Sequence, residues 1–160
     1  MITAAKDASV HLGRLRTRPA DFDPAVRDRL IAGALLPAAL VQQAQRFRRW
    51  YRDAVLALFA DVDVILARAT PCTAPLIGQQ TMEFAGETVP VRPNLGLFTQ
   101  PFSFIGLPVV AVPLPGPTQA SRVLPIGVQV IAAPWREDLA LRVARALEQA
   151  GVARCPPIAA

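Results

Sequence analysis

The sequence predicts an α/β fold with a sheet at its centre, and three observations predict it. Val109 to Leu114 and Ile126 to Ala132 are short uncharged runs rich in Val and Ile, the pattern of strands covered on both faces. Pro37 to Ala60 carries apolar residues at spacings of three and four, the period of an amphipathic helix. Asp61 to Leu66 then follows as a strand after a helix end, and Pro134 to Asp138 opens a last helix, so helices and strands share one chain.

Taken in order, residues 1–20 are polar, basic and without an evident period, and are expected to be an irregular lead-in. A main body over 21–151 and a loose tail over 152–160 complete the expected organisation. Asp23 and Pro24 start a helix, since a capping carboxylate followed by proline in the first turn satisfies the free amides; Gly33 is expected to end it near Ala32. In the long helix, Leu36, Leu40, Ala44, Phe47, Tyr51, Val55 and Leu58 form the expected buried stripe. Trp50 and Tyr51 beside arginines have the composition of a base-stacking pair, but their spacing reads as core and rim. Met82 to Val91 is expected to be a hairpin turning at Ala85-Gly86-Glu87. Asn94 to Gly106 is expected to be buried and partly helical, with Thr99, Gln100 and Ser103 needing partners inside. The last helix should bury Leu139, Val143, Ala146, Leu147 and Ala150 and end at Gly151.

Composition narrows the function classes. A length of 160 residues fits one domain, and 52% hydrophobic against 18% charged residues argues against disorder. Residues 1–60 hold ten cationic against five acidic side chains, and the rest balances. A nucleic-acid or anionic-membrane surface is one reading of that excess; a solvated helix face is the other, and no nucleic-acid-binding signature accompanies it. Six prolines interrupt the uncharged stretch between Arg92 and Arg122, which makes a membrane-spanning helix a poor fit. Cys72 and Cys155 do not suggest a disulfide framework, and with His11 as the only histidine no metal-ligand spacing is present. With no apolar signal core at the N-terminus, a cytoplasmic setting with reduced thiols is expected.

The residues that would do chemistry are scarce. Ser9, Ser103 and Ser121 are the serines, Lys6 is the one lysine, and neither a nucleophile elbow nor a phosphate loop occurs. Asp7, Ser9 and His11 have the composition of a triad, but neighbours in sequence seldom take up its geometry. Ala67 to Pro75 leaves the strand that ends near Leu66, because Pro71 and Pro75 cannot sit in a central ladder. Ligands bind beyond such strand ends in α/β sheets, which makes Thr70, Cys72 and Thr73 candidates for a site wall; for Cys72 a small buried filler is the favoured reading.

Several segments together resemble a known family. Asp63-Val64-Ile65-Leu66, Ala69-Thr70-Pro71, Ala74-Pro75, Phe98-Thr99-Gln100-Pro101, Gly106-Leu107-Pro108, Val112-Pro113 and Leu124-Pro125-Ile126-Gly127-Val128-Gln129-Val130-Ile131 resemble the C-terminal part of amidase signature hydrolases. The pattern is similar to the carboxybiuret hydrolase-like branch and to the amidase component of glutamyl-tRNA amidotransferase. The resemblance implies the C-terminal portion of a large α/β/α fold with a central mixed sheet. It also implies hydrolysis of a carboxamide C–N bond by a Ser-cisSer-Lys triad, without metal or cofactor. In that family the triad lies upstream, around a Gly/Ser-rich segment that nothing here matches. The expectation is therefore a fragment or truncated reading frame, inactive alone, that takes part in binding a small amide substrate. Association with itself or with a small partner protein is expected, and binding to nucleic acid or membrane is not. Arg29, matching a family arginine, and Thr70, Cys72, Thr99, Gln100 and Ser103 are the substrate-pocket candidates. Arg68 stands where the family commonly has proline, a change expected to disturb the strand exit, and Gly96 stands where some members carry an aspartate.

Overall fold

The computed structural model describes residues 1–119 and 122–154; Ser121, Cys155 and the rest of the expected tail beyond Arg154 lie outside the described residues. The chain divides into two compact units, Met1–Asp53 and Ala54–Ala160.

The first unit contains helix α1 (Ile2–Thr17), a short 3₁₀ turn (Pro19–Asp21), helix α2 (Pro24–Ala34) and most of helix α3 (Ala38–Leu58). The expected irregular lead-in is corrected here, because residues 2–17 are helical. A period exists but is made of weakly hydrophobic residues: Ala4, Ala8, His11 and Leu15 recur every three or four positions, and all are buried or half-buried. Asp23 caps α2 as expected, its Oδ1 accepting from the Ala25 and Val26 amides at 3.0 and 3.3 Å. The helix does not stop at Gly33. That residue is buried because α1 passes directly over it, and a Cβ there would collide with the Ala4 carbonyl.

Along α3 the covered stripe is Val41, Ala44, Arg48, Tyr51 and Val55. Of the expected stripe, Leu40, Phe47 and Leu58 are 41, 54 and 53% exposed. The apolar arc in the sequence is thus wider than the face this chain covers, and its aromatic residues pack on each other: the Phe47 ring lies 5.5 Å from Trp50 and 6.3 Å from Tyr51.

The second unit is built on a three-stranded sheet of order β1-β5-β4, with β1 at Val64–Arg68, β4 at Val109–Gln119 and β5 at Arg122–Ala132. Both pairings within it are antiparallel, and β5 sits between the other two. A hairpin of β2 (Thr81–Phe84) and β3 (Glu87–Pro90) turns at Ala85 and Gly86, both with positive φ, as a tight two-residue turn requires. Short helices α4 (Val91–Asn94) and α5 (Gln100–Ile105) lead back to the sheet, and α6 (Glu137–Gln149) closes the unit.

The core gathers Val112, Val130, Ala132 and Ala140, flanked by Val64, Val110, Leu139, Val143, Ala144 and Leu147. Ala140 and Ala144 take the place expected for Ala146 and Ala150, which are exposed. Val110 and Val112 of β4 and Val130 and Ala132 of β5 therefore face α6. On the opposite face Gln129 and Ile131 are buried at β5, while Val109 and Ala111 on the edge strand β4 are exposed. The expected cover on both faces is met at the central strand and not along β4.

Candidate functional site

The site grows from the exit of β1. After Arg68 the chain makes one last ladder bond, Ala69 N–H to the Gly127 carbonyl at 2.8 Å, and then turns away. Gly127 permits this approach, since a Cβ there would lie 2.7 Å from the Ala69 Cβ. The Thr70 hydroxyl donates to the Cys72 carbonyl at 2.8 Å, and the Arg68 guanidinium donates to the Pro71 carbonyl at 3.1 Å. Arg68 also lies 5.5 Å over the Phe98 ring. The arginine at this position therefore ties the exit turn down, against the expectation that it disturbs it.

The turn walls an open cleft of about 470 Å³ against the far end of the β4–β5 hairpin. Thr70, Cys72 and Thr73 stand on one side, Pro113, Pro125 and Ile126 on the other, and Leu95 contributes from the segment after α4. Cys72 is half-buried and free, with its Sγ 3.4 Å from Met82 Sδ, so β2 backs the wall. A second cleft of about 580 Å³ runs between the outer edge of β4 and α6, past Arg145 and Glu148. It is the larger of the two but lies away from the β1 exit, and the polar groups of the turn do not reach it.

Gln129 joins the two chain segments that carry most of the candidates. It is 2% exposed, and its Nε2 donates to the Arg68 carbonyl at 2.7 Å and to the Phe98 carbonyl at 2.9 Å. One side chain thus fixes the start of the Thr70–Cys72 turn and the residue just before Thr99. Reading by residue type does not single out Gln129 as a site residue. Its signal is a single amide inside the apolar run Ile126 to Ala132, which has to find partners when buried.

The structure brings Thr70 and Cys72 together in the cleft. Thr99 sits at the N-terminus of α5, half-buried, its hydroxyl donating to the Gly96 carbonyl at 3.2 Å. Gln100 and Ser103 follow on α5 and are exposed, which corrects the expectation that they are buried; the Ser103 hydroxyl donates to the Gln100 carbonyl at 3.4 Å. Thr99, Gln100 and Ser103 do not line the cleft. Arg29 lies in the first unit, exposed on α2. The Ser9 hydroxyl donates to the Lys6 carbonyl at 2.8 Å along its own helix, and His11 packs edge-on to Phe22. Ser9, Thr70, Thr99 and Ser103 thus each direct the hydroxyl proton to a main-chain oxygen and not to a base. Among the described residues no group of three or more His, Cys, Asp and Glu side chains could hold a metal, and no helix is long and apolar enough to cross a membrane.

Comparison with known proteins identifies a family. The family model described as Amidase matches residues 3–141. The AtzE component of the 1-carboxybiuret hydrolase of Pseudomonas sp. (strain ADP) is 52% identical over 155 residues, covering 96% of this chain and 33% of that protein. The fatty acid amide hydrolase of Medicago truncatula is 37% identical over 106 residues, covering 66% of this chain and 17% of its own length. One similar solved structure is of a vestigial protein complex that reveals the evolutionary origins of an s-triazine catabolic enzyme, with TM-score 0.90 and 50% identity over 97% of this chain and 34% of that one. A crystal structure of an amidase superposes with TM-score 0.83 at 28% identity, over 92% of this chain and 33% of its own. The chain thus spans about a third or less of the length of these relatives.

Proposed function

We propose, from the premise that this chain belongs to the amidase family, that it forms the C-terminal lobe of an amidase that hydrolyses a carboxamide C–N bond in a small molecule. The cleft at the β1 exit supports this reading, because it places Thr70 and Cys72 beyond a strand end where a ligand can reach them. In this reading Thr70 and Cys72 are pocket wall, and Thr99, Gln100, Ser103 and Arg29 are candidates to contact substrate in the larger amidase. The nucleophile, its base and the oxyanion donors come from outside these residues. The lobe holds and orients the amide and is inactive alone, in a cytoplasmic enzyme that needs no metal or cofactor.

The test is hydrolysis of a panel of small amides by the purified chain. No turnover above blank is expected. Ammonia release that follows the protein through repurification overturns the reading, and loss of that release in Cys72→Ser would place the nucleophile in the cleft.

A second reading is a non-catalytic lobe that associates with a second copy or with a partner protein. The edge position of β4 favours it: among the described residues no strand pairs with its outer side, where the Arg154 N–H donates to the Pro113 carbonyl at 3.1 Å, and an edge strand offers N–H and C=O groups to another chain. Sedimentation as a monomer across a concentration series would count against it.

A further inference from the structure

We propose that the cleft at the β1 exit takes the uncharged, mainly apolar end of a ligand that carries an amide N–H, and that it discriminates against a carboxylate. The proposal rests on the amidase reading and specifies the substrate class of that site. Three observations carry it.

The first is the lining. Among the described residues around the cleft, Ala74, Pro75, Leu95, Pro113, Pro125 and Ile126 supply carbon surface, and no side chain brings a formal charge. A carboxylate placed there would give up water without gaining a cation. The second is the position of the nearest cation. The Arg68 guanidinium donates to the Pro71 carbonyl and lies over the Phe98 ring, and Arg68 is not one of the residues that line the cleft. The third is the polarity of Thr70. Its hydroxyl proton is committed to the Cys72 carbonyl, an oxygen that can only accept, so the lone pairs of Oγ1 are what Thr70 presents to a ligand. An acceptor suits an amide N–H and repels a carboxylate oxygen. The volume of about 470 Å³ lies within the range that holds small organic ligands.

Cys72 reports occupancy, because its half-buried thiol lines the cleft. The experiment measures the rate at which a disulfide reagent labels Cys72 in the Cys155→Ser chain, with hexanamide, hexanoate or hexylammonium present at equal concentration. Hexanamide is expected to slow labelling saturably, with hexanoate at least about tenfold weaker. Thr70→Val should weaken protection by hexanamide about three- to tenfold, and Thr70→Ser should restore it. Protection by hexanoate equal to or stronger than that by hexanamide overturns the proposal, as does no protection by any of the three. Unchanged protection in Thr70→Val removes the acceptor role and overturns it in its stated form. Hydrolysis of hexanamide by the assembled amidase without protection of Cys72 would leave the amidase reading standing and remove this one.

Discussion

The two ends of the β4–β5 hairpin are made of the same strands and do opposite things. At one end Val110, Val112, Val130 and Ala132 close on α6, and Val130, Ile131 and Ala132 have no exposed surface. At the other end the pairing runs on through Pro113–Gly127 and Pro115–Pro125, the register shifts only between Pro115 and Thr118, and the β1 exit turn leans in to leave a cleft. One hairpin thus serves as core where its residues are β-branched and alternating, and as site wall where proline and glycine take their place and the exit turn can come close. Gln129 stands at the boundary and ties the cleft turn to the buried end.

Charge placed at each end breaks the comparison most strongly. Val130→Asp buries an unpaired carboxylate and is expected to unfold the second unit, a loss of several kcal/mol. Ile126→Asp at the half-buried cleft end should cost about 1 kcal/mol or less, as a partly solvated substitution does. Urea denaturation followed by circular dichroism separates them; equal midpoints for the two variants would erase the distinction between the ends.

Gln129→Leu has the next largest effect. It leaves the Arg68 and Phe98 carbonyls without their donor and should cost about 1–3 kcal/mol. The turn it anchors should also loosen, so Cys72 labelling in native buffer should accelerate while the far-ultraviolet spectrum stays folded. Labelling at the parental rate would show that the amide stabilises the sheet without holding the wall.

How much of the molecule is legible in the sequence depends on the kind of signal. The hairpin, the β1 exit and the turn at Ala85-Gly86 are readable because proline, glycine and β-branched residues act locally. Helix α1 escapes such reading because alanine and histidine carry its buried face, so hydrophobicity gives no contrast. The end of α2 is misplaced by it because Gly33 answers to a neighbouring helix and not to its own terminus. Of the candidate site, Thr70 and Cys72 follow from a strand ending before proline. The donor role of Gln129 and the diverted guanidinium of Arg68 depend on residues 61 and 30 positions distant, which local pattern cannot reveal.

The smallest expected effect lies at the first turn of α6. The hydrogen bond from Arg136 holds the Asp138 carboxyl below the ordinary carboxylate value, and Arg142 adds to it. A carboxyl whose folded value is depressed contributes stability above its unfolded value and loses it as pH falls through the folded value. Asp138→Asn should therefore slightly lower the thermal midpoint at neutral pH and leave it unchanged in strong acid. Because the pair is solvent-exposed, the neutral-pH difference should shrink with added salt. A difference that persists in strong acid would show that the pair is not its source.

The most direct test of the account is a residue-resolved ¹H–¹⁵N titration of the chain with hexanamide. Shifts are expected to concentrate at Thr70, Cys72, Thr73, Leu95, Ile126 and Gly127, with Val130, Ala132 and Ala140 silent. Shifts centred instead on Leu141, Arg145 and Glu148 would contradict it, placing the binding site on the outer edge of β4.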